Sequence, residues 1–139
     1  MILQMLLPVN WPPVTWERPV EPVRWNRSEM LRRACVPLRS GDLQKVEGLL
    51  NAGGRHAAGD AACLNLLGVV AEARGRIRAA RRFYGRSMRA EATFGPAEQN
   101  LRRLYELKAL GRTTCPVAVG DPETDLWLAP LTGPSRRHS

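Results

Sequence analysis

The chain has 139 residues, 21 of them Lys or Arg and 13 Asp or Glu, for a formal net charge of +8. That length is one domain's worth and can bury a modest core, and no apolar run approaches the ~18 residues of a membrane span. The 3 cysteines and 2 histidines include no Cys-x-x-Cys or His-x-x-x-His spacing, so neither a zinc site nor any other metal or cofactor site is expected.

Residues 1–26 carry Pro8, Pro12, Pro13, Pro19 and Pro22 together with Trp11, Trp16 and Trp25. The prolines favour an extended or polyproline II arm. A solvated tail is poor in aromatics, so the tryptophans predict an arm that either covers the helical body or docks on another protein. Met1 to Leu7 is apolar but lacks a basic lead-in and a small-residue cleavage site, a poor signal peptide; the expected location is cytoplasmic.

Asn26, with Glu29 three residues on, predicts a helix start of capping-box type, and Met30, Leu31, Ala34 and Cys35 form the apolar face of that first helix. Pro37 predicts a kink or an early end. After the turn Ser40-Gly41-Asp42, the stripe Leu43, Val46, Leu49 and Leu50 predicts a second helix, stopped by Gly53-Gly54. Asp60 is a good N-cap for a third helix with Leu64, Leu67, Val70 and Ala71 on one face, and Gly75 ends it. Ile77, Ala80, Tyr84, Ser87 and Met88 mark a fourth. Gly68 and Ala80 are small residues on facing sides, which lets two helix backbones approach closely. Gly95-Pro96 opens a fifth helix with the stripe Leu101, Leu104, Tyr105 and Leu107, closed by Gly111. Arg103 and Glu106 are expected to point outward from it. Beyond Arg112 the composition is that of a loop, broken by the short apolar knot Asp125-Leu126-Trp127-Leu128. Cys35 and Cys63 fall in apolar helical stretches and read as buried thiols, whereas Cys115 is expected in an exposed tail.

The stretch from Ala61 to Phe94 resembles the tetratricopeptide repeat, a helix–turn–helix unit of about 34 residues. Leu64 stands where the family has tryptophan or another large apolar residue, Leu67-Gly68 on its Leu-Gly pair and Gly75 on its turn glycine. Ala80 stands on the family's most restricted alanine, Tyr84 on its aromatic and Ser87 on its second small residue. Ala71 replaces the family's tyrosine, and Ala92 stands where its proline belongs. Gly41, Leu43, Val46 and Leu50 repeat the pattern of Gly75, Ile77, Ala80 and Tyr84 at the same offset, so residues 27–60 read as an earlier, degraded copy.

The resemblance implies an all-α fold: a short solenoid of stacked antiparallel hairpins over residues 27–111. Its parts are repeats 27–60 and 61–94 and a capping helix 96–110, flanked by the arm 1–26 and a loop-rich tail 112–139. It also implies a concave groove for an extended peptide, lined by Leu31, Cys35 and Leu38 from the first pair. The second pair adds Asn65, Val69 and Glu72, and the last helix Gln99, Arg103 and Glu106. The family's carboxylate clamp needs lysine, asparagine and arginine at set places; here Leu31, Cys35 and Leu66 stand at three of them and only Asn100 is polar. With two and a half units, the stack needs further cover, which the tryptophan arm or a homodimer would supply.

Nothing in the sequence converges on catalysis: His56 lies in a glycine-flanked loop, His138 near the end, and there is no glycine-rich phosphate loop. The expected function is a non-catalytic adaptor or scaffold whose partner is another protein or peptide. A second reading comes from charge. Residues 74–112 hold eleven Lys or Arg against three acidic residues, while the rest of the chain is balanced. Arg78, Arg82, Arg86 and Arg89 line one side of the fourth helix, a ridge that nucleic acid or an anionic membrane could occupy. Like charges at that spacing cost a helix roughly 0.2–0.5 kcal/mol per pair. The arginine bias is also what a GC-rich coding sequence produces.

Overall fold

The computed structural model describes residues 25–121 and residue 125. Among these there are six helices and no strand, an all-α fold. They are α1 (Arg27–Ser40), α2 (Leu43–Ala52), α3 (Gly54–Ala58), α4 (Ala61–Ala73), α5 (Ile77–Ala90) and α6 (Gly95–Leu110). Residues 1–24, 122–124 and 126–139 lie outside the described residues, and with them most of the proline-rich flanks and the apolar knot's Leu126, Trp127 and Leu128.

Local chemistry sets the helix ends. The Oδ1 of Asn26 accepts the Glu29 N–H at 3.0 Å, and the Oδ2 of Asp60 accepts from Ala62 and Cys63 at 3.0 and 3.1 Å. Each cap satisfies amides that the first helical turn leaves without partners. At the other ends, Gly41 and Gly75 take left-handed φ of 79° and 78°. The two turns repeat one pair of bonds: Gly41 N–H to Leu38 and Asp42 N–H to Pro37, then Gly75 N–H to Glu72 and Arg76 N–H to Ala71. This is the double bond pattern that ends a helix on glycine.

Two features depart from the sequence expectation. α1 does not stop or break at Pro37 but continues to Ser40. Proline omits the one bond to the carbonyl four residues back, and the ring is buried, so its packing offsets the omission. Gly53-Gly54 ends α2 but does not begin a loop: Gly54, at φ 55°, opens the short α3, whose Ala57 is buried.

α1 packs on α2, α2 on α3 and α4, α4 on α5, and α5 on α6. α1, α4 and α6 begin at residues 27, 61 and 95, so each opens 34 residues after the last. One arginine gathers these starts. Arg27, first in α1, bonds Asp60 at the head of α4 at 2.6 Å and lies 5.3 Å over the ring of Phe94 at the head of α6. It also reaches Glu91, just past α5, at 2.8 Å. In α2 and α5, Val46 and Ala80 are wholly buried at equivalent offsets, and Leu50 and Tyr84 are buried at another such pair.

The α4–α5 hairpin is the tightest contact. A Cβ added at Gly68 would stand 2.4 Å from the Tyr84 ring, so only glycine admits the tyrosine. Ser87 donates to the Ala61 carbonyl at 2.7 Å from a fully buried position. α4 is buried nearly all round, from Ala61 to Leu66 and again from Gly68 to Ala71. α5, α2 and α3 meet parts of it, and what covers the remaining side defines the site. Trp25, where the arm joins α1, packs on the core beside Gly53.

Candidate groove between α4 and α6

α4 and α6 run side by side, with Asn65 beside Asn100 and Glu72 beside Arg103. Such polar residues on an inward face require partners, because burial without them costs about 1–3 kcal/mol each. The chain supplies those partners. After Gly111 the backbone turns and runs back along α6, carrying residues 113–120 through the hollow between the two helices. Thr113 meets Glu106, Pro116 meets Gln99 and Arg103, and Ala118 meets Asn100 and Asn65. Gly120 lies against Phe94 and Pro96, where an added Cβ would stand 2.7 Å from the Phe94 ring.

At the centre is an amide clamp. Asn100 accepts the Ala118 N–H on Oδ1 at 3.0 Å and donates from Nδ2 to the Ala118 carbonyl at 2.8 Å. Asn65 donates to the same carbonyl at 2.8 Å and accepts from Asn100. Arg103 donates to the Asn100 Oδ1 at 2.8 Å. Because a guanidinium only donates, this bond fixes which end of the Asn100 amide is oxygen. Both Asn100 donors and both its acceptor sites are thereby used, and so are the N–H and carbonyl of Ala118. Asn65 and Asn100 are fully buried and Arg103 is 3% exposed.

The charge of Arg103 is answered by Glu72. Nε donates to Glu72 Oε2 at 3.1 Å, and Nη2 donates to Oε1. Tyr84 also donates to Oε1, at 2.7 Å. Burial, and after it the Glu72 charge, raises the Tyr84 phenol well above its ordinary range. A remaining Arg103 N–H reaches the Pro116 carbonyl at 3.2 Å, which also accepts from Gln99 at 2.8 Å. Farther along, Glu106 accepts from the Thr113 hydroxyl at 2.5 Å and the Cys115 thiol at 3.4 Å. These two bonds, Thr113 first, hold its carboxyl below the usual carboxylate range. Asp125 accepts the N–H groups of Val119 and Gly120 at 2.6 and 3.2 Å and closes the far end.

Of the nine groove residues expected from sequence, Asn65, Glu72, Gln99, Arg103 and Glu106 come together in this network, and Val69 is buried on the same helix. The other three stay on α1: Leu31 is part of the core, while Cys35 and Leu38 are half-buried. Arg103 does not point outward as expected, since Glu72 neutralises it and the returning chain covers it; Glu106 is half-buried against Thr113 and Cys115. Cys115 is likewise half-buried and not exposed, and Cys35 is not fully buried; Cys63 is buried. Asn100 and the run Val117-Ala118-Val119 were not among the expected site residues. Their sequence signals are two asparagines 35 residues apart on otherwise packed helices, and an apolar triplet inside a polar tail.

The ridge residues Arg78, Arg82, Arg86 and Arg89 are all exposed on α5, with Arg86 lying 5.8 Å over Phe83. Among the described residues none of the four pairs with a carboxylate. On the outer side of α6 a shallow depression is lined by Arg81, Leu101, Leu104, Tyr105, Lys108 and Ala109, with Tyr105 71% exposed. Among the described residues no group of three or more His, Cys, Asp or Glu is placed to hold a metal ion, and no helix is long and apolar enough to cross a membrane. The chain matches no family model, no curated protein and no solved structure.

Proposed function

We propose that this chain is a non-catalytic protein-interaction module, an adaptor or scaffold that holds an extended segment of a partner in the groove between α4 and α6. In this reading α1 to α5 are two layers of a tetratricopeptide-like stack and α6 is its capping helix. The observation that carries it is the clamp of Asn100 and Asn65 on one residue's N–H and carbonyl. A grip on backbone atoms suits any extended chain of compatible side chains, and a preformed groove lowers the ordering cost of binding.

A photo-crosslinking amino acid placed at Gln99, on the groove wall, tests this in cells expressing the full chain, with Arg82 on the ridge as the comparison. Adducts to another protein from position 99 and not from 82 are expected. Crosslinks from 99 that reach only the chain's own residues 113–119 would remove the partner from the account.

The exposed arginines of α5 favour a second reading, a basic surface for nucleic acid or an anionic membrane. Binding of that kind falls steeply with salt. Filter retention of labelled nucleic acid, or vesicle co-sedimentation, at low and moderate salt is the discriminator, and no retention at low salt ends this alternative.

A further inference from the structure

We infer, resting on that groove reading, that residues 113–119 are an internal competitor, and that the external ligand is an extended segment of the same chemistry: a proline followed by an apolar, a small and an apolar residue. The returning chain shows what the groove selects. At the first place only a carbonyl is used, that of Pro116, which Gln99 and Arg103 bond. Proline lacks an N–H, so nothing is left unsatisfied there, and its fixed φ favours the extended form beforehand. At Ala118 both backbone groups are clamped and the side chain is buried, which asks for a small residue. Val119 is fully buried within the core, which asks for an apolar one.

The same segment is built to leave. Residues 112–119 form no helix, so displacing them exchanges one set of groove bonds for an identical set from the incoming chain. Nothing in α4 or α6 must unfold. A segment tethered this closely competes at an effective concentration on the order of millimolar. The apparent affinity for an external peptide is then reduced by the fraction of grooves left open.

The test uses the full chain and a labelled nonapeptide, Thr-Thr-Ser-Pro-Val-Ala-Val-Gly-Asp, which copies residues 113–121 with serine at the cysteine place. Anisotropy titrations compare the unaltered protein with Ala118→Pro, which removes the N–H that Asn100 accepts and so releases the tail. The variant is expected to bind the peptide about tenfold more tightly or better, and a control peptide with proline in place of its alanine is expected to bind neither protein. Equal affinities for the two proteins would overturn the competitor and leave the groove reading intact. No binding to either, with Cys115 of the variant alkylated rapidly and its tail therefore free, would overturn both. A second measurement needs no variant: alkylation of Cys115 in the unaltered protein, located by mass mapping, should accelerate at saturating peptide. An unchanged rate with peptide bound would overturn the displacement.

Discussion

Asn100 and Ala118 exchange two hydrogen bonds, the side-chain amide of one meeting the backbone N–H and carbonyl of the other at 3.0 and 2.8 Å. Residue 118 is thereby treated as a neighbouring strand would treat it, although the groove offers a side chain in place of a backbone. The returning chain consequently belongs to the fold's energetics as well as to its candidate site.

Asn100→Ala deletes four buried bonds and leaves Arg103, Asn65 and both Ala118 groups short of partners. Each orphaned polar group costs about 1–3 kcal/mol, partly relieved by water entering the groove. A net loss of about 2–4 kcal/mol is expected, enough to lower the melting temperature of a domain this size by roughly 10–20 °C. Thermal unfolding by circular dichroism measures it, and exchange of the Ala118 amide should quicken in parallel. A melting point unchanged from the unaltered protein would show that the clamp holds nothing.

Gly68→Ala tests the hairpin. Alanine favours a helix interior over glycine by about 1 kcal/mol, but its Cβ would stand 2.4 Å from the Tyr84 ring. That ring cannot swing aside without breaking its 2.7 Å bond to Glu72. Overpacking costs about 1–3 kcal/mol, so a net loss is expected despite the better helix former. Tyr84→Leu should relieve the clash, making the double variant less damaged than the two single losses added together. Strict additivity in urea unfolding would contradict the packing account.

What could be read in advance was mostly what neighbours in sequence decide. Asn26 and Asp60 cap helices because their side chains need reach only two or three residues ahead, and Gly41 and Gly75 turn because no other residue enters that backbone region easily. Gly68 was visible as a small residue on an inward helix side, paired with Ala80, but the Tyr84 ring that fills the space over it was not. Pro37 did not bring the early end that was one of the two outcomes expected of it, because the breaking rule weighs the omitted bond and not the buried ring. Arg103 and Glu106 were assigned to solvent by their charge, yet Glu72 lies 31 residues from Arg103 and no local pattern announces it. Loop composition over residues 112–121 predicts no helix there but says nothing of where the chain lies. The groove's occupant was therefore the least legible part, since it depends on a reversal at Gly111 and on pairings 18 and 53 residues apart.

The Glu72–Arg103 pair should be costly to break from one side. Glu72→Ala leaves a guanidinium that is 3% exposed without its carboxylate, a loss of about 3–5 kcal/mol for a buried pair. Arg103→Ala should cost less, because Glu72 keeps the Tyr84 bond and is 16% exposed to water. It should also free Pro116, which loses one of its two donors. Urea midpoints of the single and double variants give the coupling. If the Glu72 variant were the milder of the two, the assignment of Arg103 as the buried partner would have to be withdrawn.

Alkaline stability should decline in two stages, through Cys63 and then Tyr84. Burial, followed by the Asp60 charge, pushes the Cys63 thiol up to about 12, against ~8.5 in an unfolded chain. The Tyr84 phenol is raised above its ordinary value of ~10, again by burial first. In both cases the folded protein keeps a proton that the unfolded chain gives up, so the unfolded state binds fewer protons and stability falls as pH rises. Below about pH 8 the contribution is whole; above it each group can remove up to about 1.4 kcal/mol per pH unit until its folded-state value is reached. Urea midpoints should hold steady from pH 6 to 8 and fall between 9 and 11. Cys63→Ala should flatten the early part of that fall and Tyr84→Phe the later part, relative to their own values at neutral pH. Cys63 should also resist alkylation at pH 8 until the protein is unfolded, and ready labelling of the native thiol would mean that α4 opens far more often than its burial implies.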